Sequence, residues 1–138
     1  MPLKIILAEN DELKELIYAL RYKIYIEELG KQSQSTDHNR CWIKDNLDLT
    51  AELYALQDEN NKLIGTVRIN RIDRLDNPKE ELYPLPIQNL LDVIEASSIT
   101  YVSRLMICKD HRGSKAFSKL AFHTYHISML YRYFLLDR

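Results

Sequence analysis

The part of the chain that decides its fold is residues 99–117, which read Ile-Thr-Tyr-Val-Ser-Arg-Leu-Met-Ile-Cys-Lys-Asp-His-Arg-Gly-Ser-Lys-Ala-Phe. The first half is mostly apolar without helical spacing, which predicts a strand that ends at the polar residues 109–114. From Ala116 onward, apolar residues recur at steps of three and four, which predicts a helix that runs to Phe134. The stretch therefore predicts a strand, a short basic turn and a helix in direct succession.

The turn in this unit carries positive charge at the point where the helix begins. Arg112, Gly113, Ser114 and Lys115 lie there, and the first N–H groups of a helix have no partner within the helix. Free N–H groups and the helix dipole together attract anions. A solvated loop whose cations simply face water is the alternative. The turn is therefore a candidate site for a phosphate or pyrophosphate.

Composition limits the rest of the interpretation. The chain has 138 residues, 46% of them hydrophobic and 28% charged, with a formal net charge of −1. This length predicts one domain over residues 1–138, and the near-zero charge gives no general attraction to nucleic acid or anionic membranes. Cys41 and Cys108 lack metal or redox spacing, and no apolar run is long enough for a signal peptide or a membrane span. These features predict a cytoplasmic protein.

The order of elements predicts the fold class. The patterns indicate a strand, a helix, an irregular segment anchored by Trp42, a hairpin of two strands, a loop and a short helix, over residues 3–8, 11–30, 31–50, 52–72, 73–85 and 87–94. With the unit quoted above, this order is typical of a mixed α/β (α+β) fold. We expect a mostly antiparallel central sheet flanked by helices.

Charged residues near apolar segments are the candidates for chemistry. Arg104 lies within the predicted strand of residues 99–107 and Arg68 lies in a neighbouring strand, so each pairs with an acid of the protein or binds a substrate carboxylate. A carboxylate whose pKa is raised by burial could accept a proton from an attacking amine. Most such acids are merely solvated, and the acidic candidates are Glu27, Glu28, Asp45 and Asp48.

Two further patterns predict no site. His123 and His126 stand three residues apart, a spacing compatible with metal ligands, but no further ligands accompany them in the sequence. Neither cysteine has an obvious histidine partner. We therefore expect no metal ion and no covalent nucleophile.

The strand, the turn and the helix resemble the acyl-CoA-binding core of the GNAT N-acyltransferase superfamily, whose motif reads Val-x-x-Leu-x-Val-x-x-x-x-Arg-Gly-x-Gly-x-Gly/Ala-x-x-Leu. Lys115 and Phe117 stand at the two later glycine positions, where glycine lets the backbone approach a pyrophosphate closely. This departure favours a donor presented by acyl carrier protein over ordinary acetyl-CoA. The chain matches the motif at Val102, Leu105, Ile107, Arg112, Gly113 and Leu120.

Segments elsewhere in the chain resemble two branches of that superfamily, the N-acyl amino acid synthases and the acyl-homoserine lactone (autoinducer) synthases. These segments are residues 20–30, 45–48, 65–68 and 102–105. The resemblance implies an N-acyltransferase that moves an acyl group, fatty in these branches, from acyl carrier protein or acyl-CoA to an amino acid or similar amine. The amine attacks directly, without an acyl-enzyme.

The resemblance also implies the roles of individual residues. Glu27 or Asp48 would be the base, Arg104 and Arg68 would hold the carboxylate of the amine substrate, and Arg21, Tyr25 and Ser103 would complete the substrate site. The backbone N–H groups of Leu105, Met106 and Ile107 would hold the thioester carbonyl. The phosphopantetheine arm of the donor would lie along Arg112, Gly113, Ser114, Lys115, Ala116 and Phe117.

Members of the superfamily usually continue past this helix with further strands, whereas the sequence ends at Arg138. We therefore expect a sheet without the usual C-terminal strands, in a truncated form or in one completed by a partner subunit, for example as a homodimer. Two other functions stay open. One is an autoinducer-type synthase, which would need an adenosylmethionine pocket, and the other is a non-catalytic relative that binds acyl thioesters.

Overall fold

The computed structural model describes residues 3–128 and 133–136. Its helices are α1 (Asp11–Tyr22), a π-helix (Lys23–Glu28), α2 (Pro78–Glu81), α3 (Ile87–Leu91) and α4 (Lys115–Ser128). Its strands are β1 (Lys4–Leu7), β2 (Thr36–Asp37), β3 (Trp42–Ile43), β4 (Ala51–Gln57), β5 (Leu63–Arg71), β6 (Ile99–Ile107) and β7 (Tyr133–Leu136).

The central sheet has the strand order β1-β4-β5-β6-β7. The first four strands pair antiparallel, and β7 pairs parallel to β6. The helices α1 and α4 pack against this sheet, and one apolar core joins Leu20, Ile24 and Leu120 to the strand residues Val67 and Val102. The predicted mixed, mostly antiparallel sheet flanked by helices is therefore confirmed.

The prediction that the last helix runs to Phe134 is wrong at its end. The structure describes α4 over Lys115–Ser128, and residues 133–136 form β7 beside the first half of β6. A short run of apolar residues with helical spacing can equally form a strand when a neighbouring strand offers backbone hydrogen-bond partners. The sheet accordingly has one strand after α4, where none was expected, and the predicted helical residues 129–132 lie outside the described part.

The first helix changes character before it ends. Asn10 caps its N-terminus with a side-chain oxygen that accepts the Leu13 N–H at 2.8 Å, and the helix widens into the π-helix at Lys23. A π-helical segment is rare and is often found at functional sites. The predicted stop at Gly30 is confirmed, since this glycine has φ +64° just after the segment ends.

Residues 31–50 are less irregular than predicted. They contain the small hairpin of β2 and β3 and a single 3₁₀ turn, Asn46–Leu49, which Asp45 caps. The predicted anchor Trp42 packs its ring 5.6 Å from that of Tyr18 on α1. The segment is therefore held against α1.

Strand β6 contains a bulge opposite β5. Thr66 pairs with Met106 and Arg68 pairs with Ser103, so Arg104 and Leu105 face the single residue Val67. Arg104 has φ +55°, a left-handed conformation that costs a non-glycine residue about 1–3 kcal/mol. A bulge leaves its extra residue outside the hydrogen-bond ladder and bends the strand.

We predict that Gly65→Ala destabilises the fold. A Cβ at Gly65 would lie 2.6 Å from Ile107 Cδ1 and 3.1 Å from the Met106 carbonyl oxygen. Overpacking of this kind costs about 1–3 kcal/mol, which urea unfolding would measure. Gln34→Ala, at an exposed position of the loop before β2, is the control and should change the free energy of unfolding by less than about 0.5 kcal/mol. Equal stability of the two variants would contradict the prediction.

No helix within residues 3–128 or 133–136 is both long and apolar enough to cross a bilayer.

Candidate active site

A cleft of about 340 Å³ lies where β6 bulges. Its lining residues come from β6, from the π-helix and the residues after it, from α4 and from β7. The cleft brings together six residues that the sequence predicted for the site: Tyr25, Ser103, Arg104, Leu105, Met106 and Phe117. Leu29, Lys31, Val102 and Leu136 complete its lining.

Behind the cleft lies a buried ion pair between α1 and the 3₁₀ turn. Arg21 donates to both carboxylate oxygens of Asp48, at 3.0 and 2.8 Å, and to the Ile43 carbonyl oxygen at 3.2 Å. Both side chains of the pair are 0% exposed. The pair thus joins α1, β3 and the 3₁₀ turn.

A second set of contacts extends this pair to β5 and β6. Arg68 Nη1 lies 2.6 Å from Asp45 Oδ1 and 3.2 Å from Asp48 Oδ1, and its Nε donates to Ser103 Oγ at 2.9 Å. Arg104 Nη2 donates to Asp45 Oδ2 at 3.2 Å. Asp45 therefore bridges the two strand arginines, and we call these six residues, from Arg21 to Arg104, the ion cluster: Arg21, Asp45, Asp48, Arg68, Ser103 and Arg104.

The ion cluster carries one net positive charge, because three guanidinium groups face two carboxylates. Its outer edge is formed by Arg104, 17% exposed, and Asp45, 25% exposed. Arg104 also lines the cleft. The unbalanced charge therefore lies where an anionic group of a ligand can reach it.

The geometry argues against two of the predicted roles. Burial raises the pKa of Asp48, but the hydrogen bonds and charge of Arg21 outweigh that effect, with smaller help from Arg68 and the Asp45 N–H, and hold it below its ordinary value. A base with a lowered pKa accepts protons poorly. Arg21 is fully buried and paired, so it does not reach a substrate. Both residues therefore have structural roles.

Two other predicted residues lie away from the cleft surface. Arg68 is only 3% exposed and contacts Ser103 rather than the cleft. Glu27 is exposed on the π-helix and does not line the cleft, so the position gives no support to its role as base. Among the predicted polar residues, Tyr25, Ser103 and Arg104 remain in contact with the cleft.

The basic turn after β6 is tied back to the protein. Arg112 Nε donates to the Ile107 carbonyl oxygen at 2.9 Å, and its Nη2 donates to Glu28 Oε1 at 2.8 Å. Ser114 Oγ accepts the Ala116 N–H at 3.1 Å at the start of α4. Gly113, with φ +80°, has open space at its Cβ position. Lys109 and Lys115, at the two ends of the turn, are both exposed.

Sequence reasoning named Asp45 and Glu28 only as members of a group of acids. The structure gives each a specific partner, Arg104 and Arg112 respectively. The sequence indicated that acidic residues could pair with the arginines of the predicted strands, but it did not identify which acid pairs with which arginine. Within the part that the structure covers, no three His, Cys, Asp or Glu side chains converge as a metal site.

The mixed sheet, the bulged strand and the turn before α4 define an N-acyltransferase fold. A family model described as an acetyltransferase (GNAT) domain matches residues 20–122. The chain belongs to this GNAT acetyltransferase family. A comparison with curated protein sequences gives no match.

Solved structures share the fold at low sequence identity. A GNAT acetyltransferase from Staphylococcus aureus Mu50 gives a TM-score of 0.59 at 15% identity, over 93% of this chain and 67% of that one. TofI, solved with an inhibitor and MTA, gives 0.64 at 17% identity, over 93% of this chain and 66% of that one. BjaI, a CoA-dependent acyl-homoserine lactone synthase, gives 0.68 at 16% identity. That match spans 92% of this chain and 60% of BjaI.

We predict that Asp48→Asn strongly destabilises the protein. The change leaves the buried Arg21 without its counter-charge, and breaking a buried pair costs about 3–5 kcal/mol. Denaturant unfolding at neutral pH measures this loss. Asp76→Asn, at an exposed position of the loop after β5, is the control and should have little effect.

The same pair makes stability depend on pH. Because the folded-state pKa of Asp48 lies below its unfolded value near 3.8, the contribution is complete above that value and is lost as pH falls through the folded pKa. Unfolding free energies measured from pH 6 to pH 2 should therefore fall less steeply for Asp48→Asn than for the unaltered protein. Parallel profiles would contradict the assignment.

Proposed function

We propose that this protein is an N-acyltransferase that moves a fatty acyl group from a phosphopantetheine thioester to the amine of an amino acid. The observation that carries the proposal is the cleft beside the β6 bulge, where Arg104 brings the net positive charge of the ion cluster to the surface of a groove lined by both apolar and polar residues. The family membership supports the transfer chemistry, and the cleft residues support the choice of substrates.

The reaction we propose is direct attack by the amine. The amine nitrogen forms a bond to the thioester carbonyl carbon, the carbon–sulfur bond breaks, the amine loses a proton and the leaving thiolate takes one up. The carbonyl oxygen becomes negative in the intermediate, and N–H groups freed by a strand bulge can stabilise it. We assign this role to the backbone of Leu105, which lies in the bulge, and to that of Met106 and Ile107, which pair with β5 but lie beyond the residues of β6 that pair with β7.

The charge of the ion cluster supports an amino acid as acceptor. A carboxylate bound by Arg104 would neutralise the excess positive charge through a charge-assisted hydrogen bond. The same charge disfavours polycationic acceptors such as aminoglycosides, although aminoglycoside acetyltransferases share the fold with TM-scores of 0.58 and 0.59.

A second cavity supports a fatty acyl donor. It has a volume of about 200 Å³ and shares Leu136 with the cleft. The residues that line it are all apolar: Leu85, Pro86, Ile87, Leu90, Leu135 and Leu136. An acyl tail that leaves the cleft past Leu136 would be buried there at about 0.8 kcal/mol per methylene. We propose acyl carrier protein or acyl-CoA as the carrier. Lys115 and Phe117 favour acyl carrier protein, because they reduce the close approach that a CoA pyrophosphate needs.

An autoinducer-type synthase is the second candidate. BjaI has been solved with SAM and isopentyl-CoA and gives a TM-score of 0.67 in that complex. SAM also carries an amino acid carboxylate, so the ion cluster is compatible with it. Formation of an acyl-homoserine lactone from SAM, but of no acyl amino acid, would favour this candidate.

We further propose a cytoplasmic location. Cys41 and Cys108 are free, and Cys41 is exposed, which fits a reducing compartment.

We predict that Arg104→Ala selectively impairs use of carboxylate-bearing acceptors. Thiol release from dodecanoyl-CoA is measured with leucine and with 3-methylbutylamine, which lacks only the carboxylate. Loss of a charge-assisted hydrogen bond should raise the KM for leucine about tenfold or more, with little change for the amine. Arg74→Ala, an exposed arginine away from the cleft, is the control.

An equal effect on both acceptors would contradict the carboxylate role of Arg104. Donor binding without thiol release for any amine or for SAM would instead favour a non-catalytic relative that holds acyl thioesters.

We predict that Leu90→Trp shortens the preferred acyl chain. The larger ring would fill the apolar cavity, so kcat/KM should fall about fourfold for each methylene excluded, while butanoyl donors stay unaffected. Val93→Trp, 80% exposed in the same segment, is the matched control. An unchanged preference between dodecanoyl and butanoyl thioesters in the Leu90 variant would place the tail elsewhere.

A further inference from the structure

We propose that Glu28 is a positioning residue for the donor site, holding the turn after β6 in the conformation that receives the donor's phosphate. This inference rests on the proposed function, because it concerns the site of the thioester donor. It adds a residue that the family motif does not contain.

Glu28 joins two parts of the chain that are far apart in sequence. Its Oε1 accepts the Lys109 N–H at 2.9 Å and Arg112 Nη2 at 2.8 Å. The Glu28 side chain is only 7% exposed, whereas the Arg112 side chain is 38% exposed. A nearly buried carboxylate with two such donors is held in one position, because charge-assisted hydrogen bonds are short and strong.

The position of Glu28 on the π-helix links the turn to the cleft. Glu28 is the last residue of that helix, and Tyr25 and Leu29, on either side of it in sequence, line the cleft. The turn leads directly into α4, whose Phe117 lines the same cleft. One carboxylate therefore joins the π-helix side of the cleft to the turn that would bind the donor.

The hydrogen bonds of Arg112 indicate how this contact acts. Its Nε donates to the carbonyl oxygen of Ile107, the last residue of β6, so the guanidinium connects strand, turn and π-helix at once. A contact of this kind places the backbone of the turn rather than offering a free cation. The Arg112 and Ser114 N–H groups already donate to the carbonyl oxygens of Lys109 and His111. We therefore assign phosphate recognition to Lys115 and to N–H groups of the turn that are not bonded within it, with Glu28 and Arg112 fixing their arrangement.

The test compares two donors, dodecanoyl-CoA and dodecanoyl-pantetheine, of which the second lacks the phosphates and the adenosine of CoA. Dissociation constants are measured without acceptor for the unaltered protein, Glu28→Ala and Glu28→Gln. Glu28→Ala should weaken dodecanoyl-CoA binding about tenfold, and Glu28→Gln, which keeps an oxygen acceptor, should restore it to within about threefold. Dodecanoyl-pantetheine should change by less than about twofold in both variants, since it carries no phosphate.

The control is Glu59→Ala in the exposed turn between β4 and β5, which should bind both donors as the unaltered protein does. Circular dichroism confirms folding, and the Glu28→Gln variant serves if Glu28→Ala does not fold. Unchanged dodecanoyl-CoA binding in the Glu28 variants, tighter binding in Glu28→Gln, or equal loss for both donors would overturn the positioning role while leaving the proposed function intact. Failure of the unaltered protein to bind either donor would overturn both.

Discussion

The buried pair between Arg21 and Asp48 is the interaction on which the rest of the site depends. Taking two charges out of water costs several kcal/mol per ion unless geometry and further hydrogen bonds compensate. Here both carboxylate oxygens of Asp48 are used by Arg21, and the Asp45 N–H donates to Oδ2 at 2.9 Å. The pair can therefore persist only when α1 and the 3₁₀ turn hold these positions, and this requirement orders residues 45–49 beside the sheet.

That ordering determines the electrostatics of the cleft. Asp45 caps the turn through the Leu47 N–H at 3.0 Å, and in this position it contacts both Arg68 and Arg104. The left-handed conformation of Arg104 is unfavourable for an arginine by itself, so its contact with Asp45 and the pairing of β6 with β5 must hold it. The bulge and the positive charge at the cleft therefore depend on one aspartate that the buried pair keeps in place.

Local patterns were enough to predict much of this arrangement. The apolar run of β6, the polar turn at Arg112 and the spacing that starts α4 each arise from neighbours in sequence, so they identified the central unit and the sheet. The partners of Arg68 and Arg104 were not predictable, because Asp45 lies 23 and 59 residues away from them. Strand β7 was missed for a related reason: its apolar residues also fit a helix, and only the exposed backbone of β6 selects the strand.

The turn after β6 shows most clearly how a role inferred from the sequence can differ from the role that the structure indicates. From sequence, Arg112 is a free cation beside a glycine, which is the expected form of a phosphate site. In the folded chain its guanidinium is bound to Glu28 and to the Ile107 carbonyl oxygen. A phosphate that displaced Glu28 from Arg112 would leave a nearly buried carboxylate with the Lys109 N–H but without its counter-charge, which is costly. An arrangement that keeps the contact between Arg112 and Glu28 and binds the phosphate through backbone N–H groups of the turn avoids this cost. Arg112 then fixes the position of the turn and does not itself bind the phosphate.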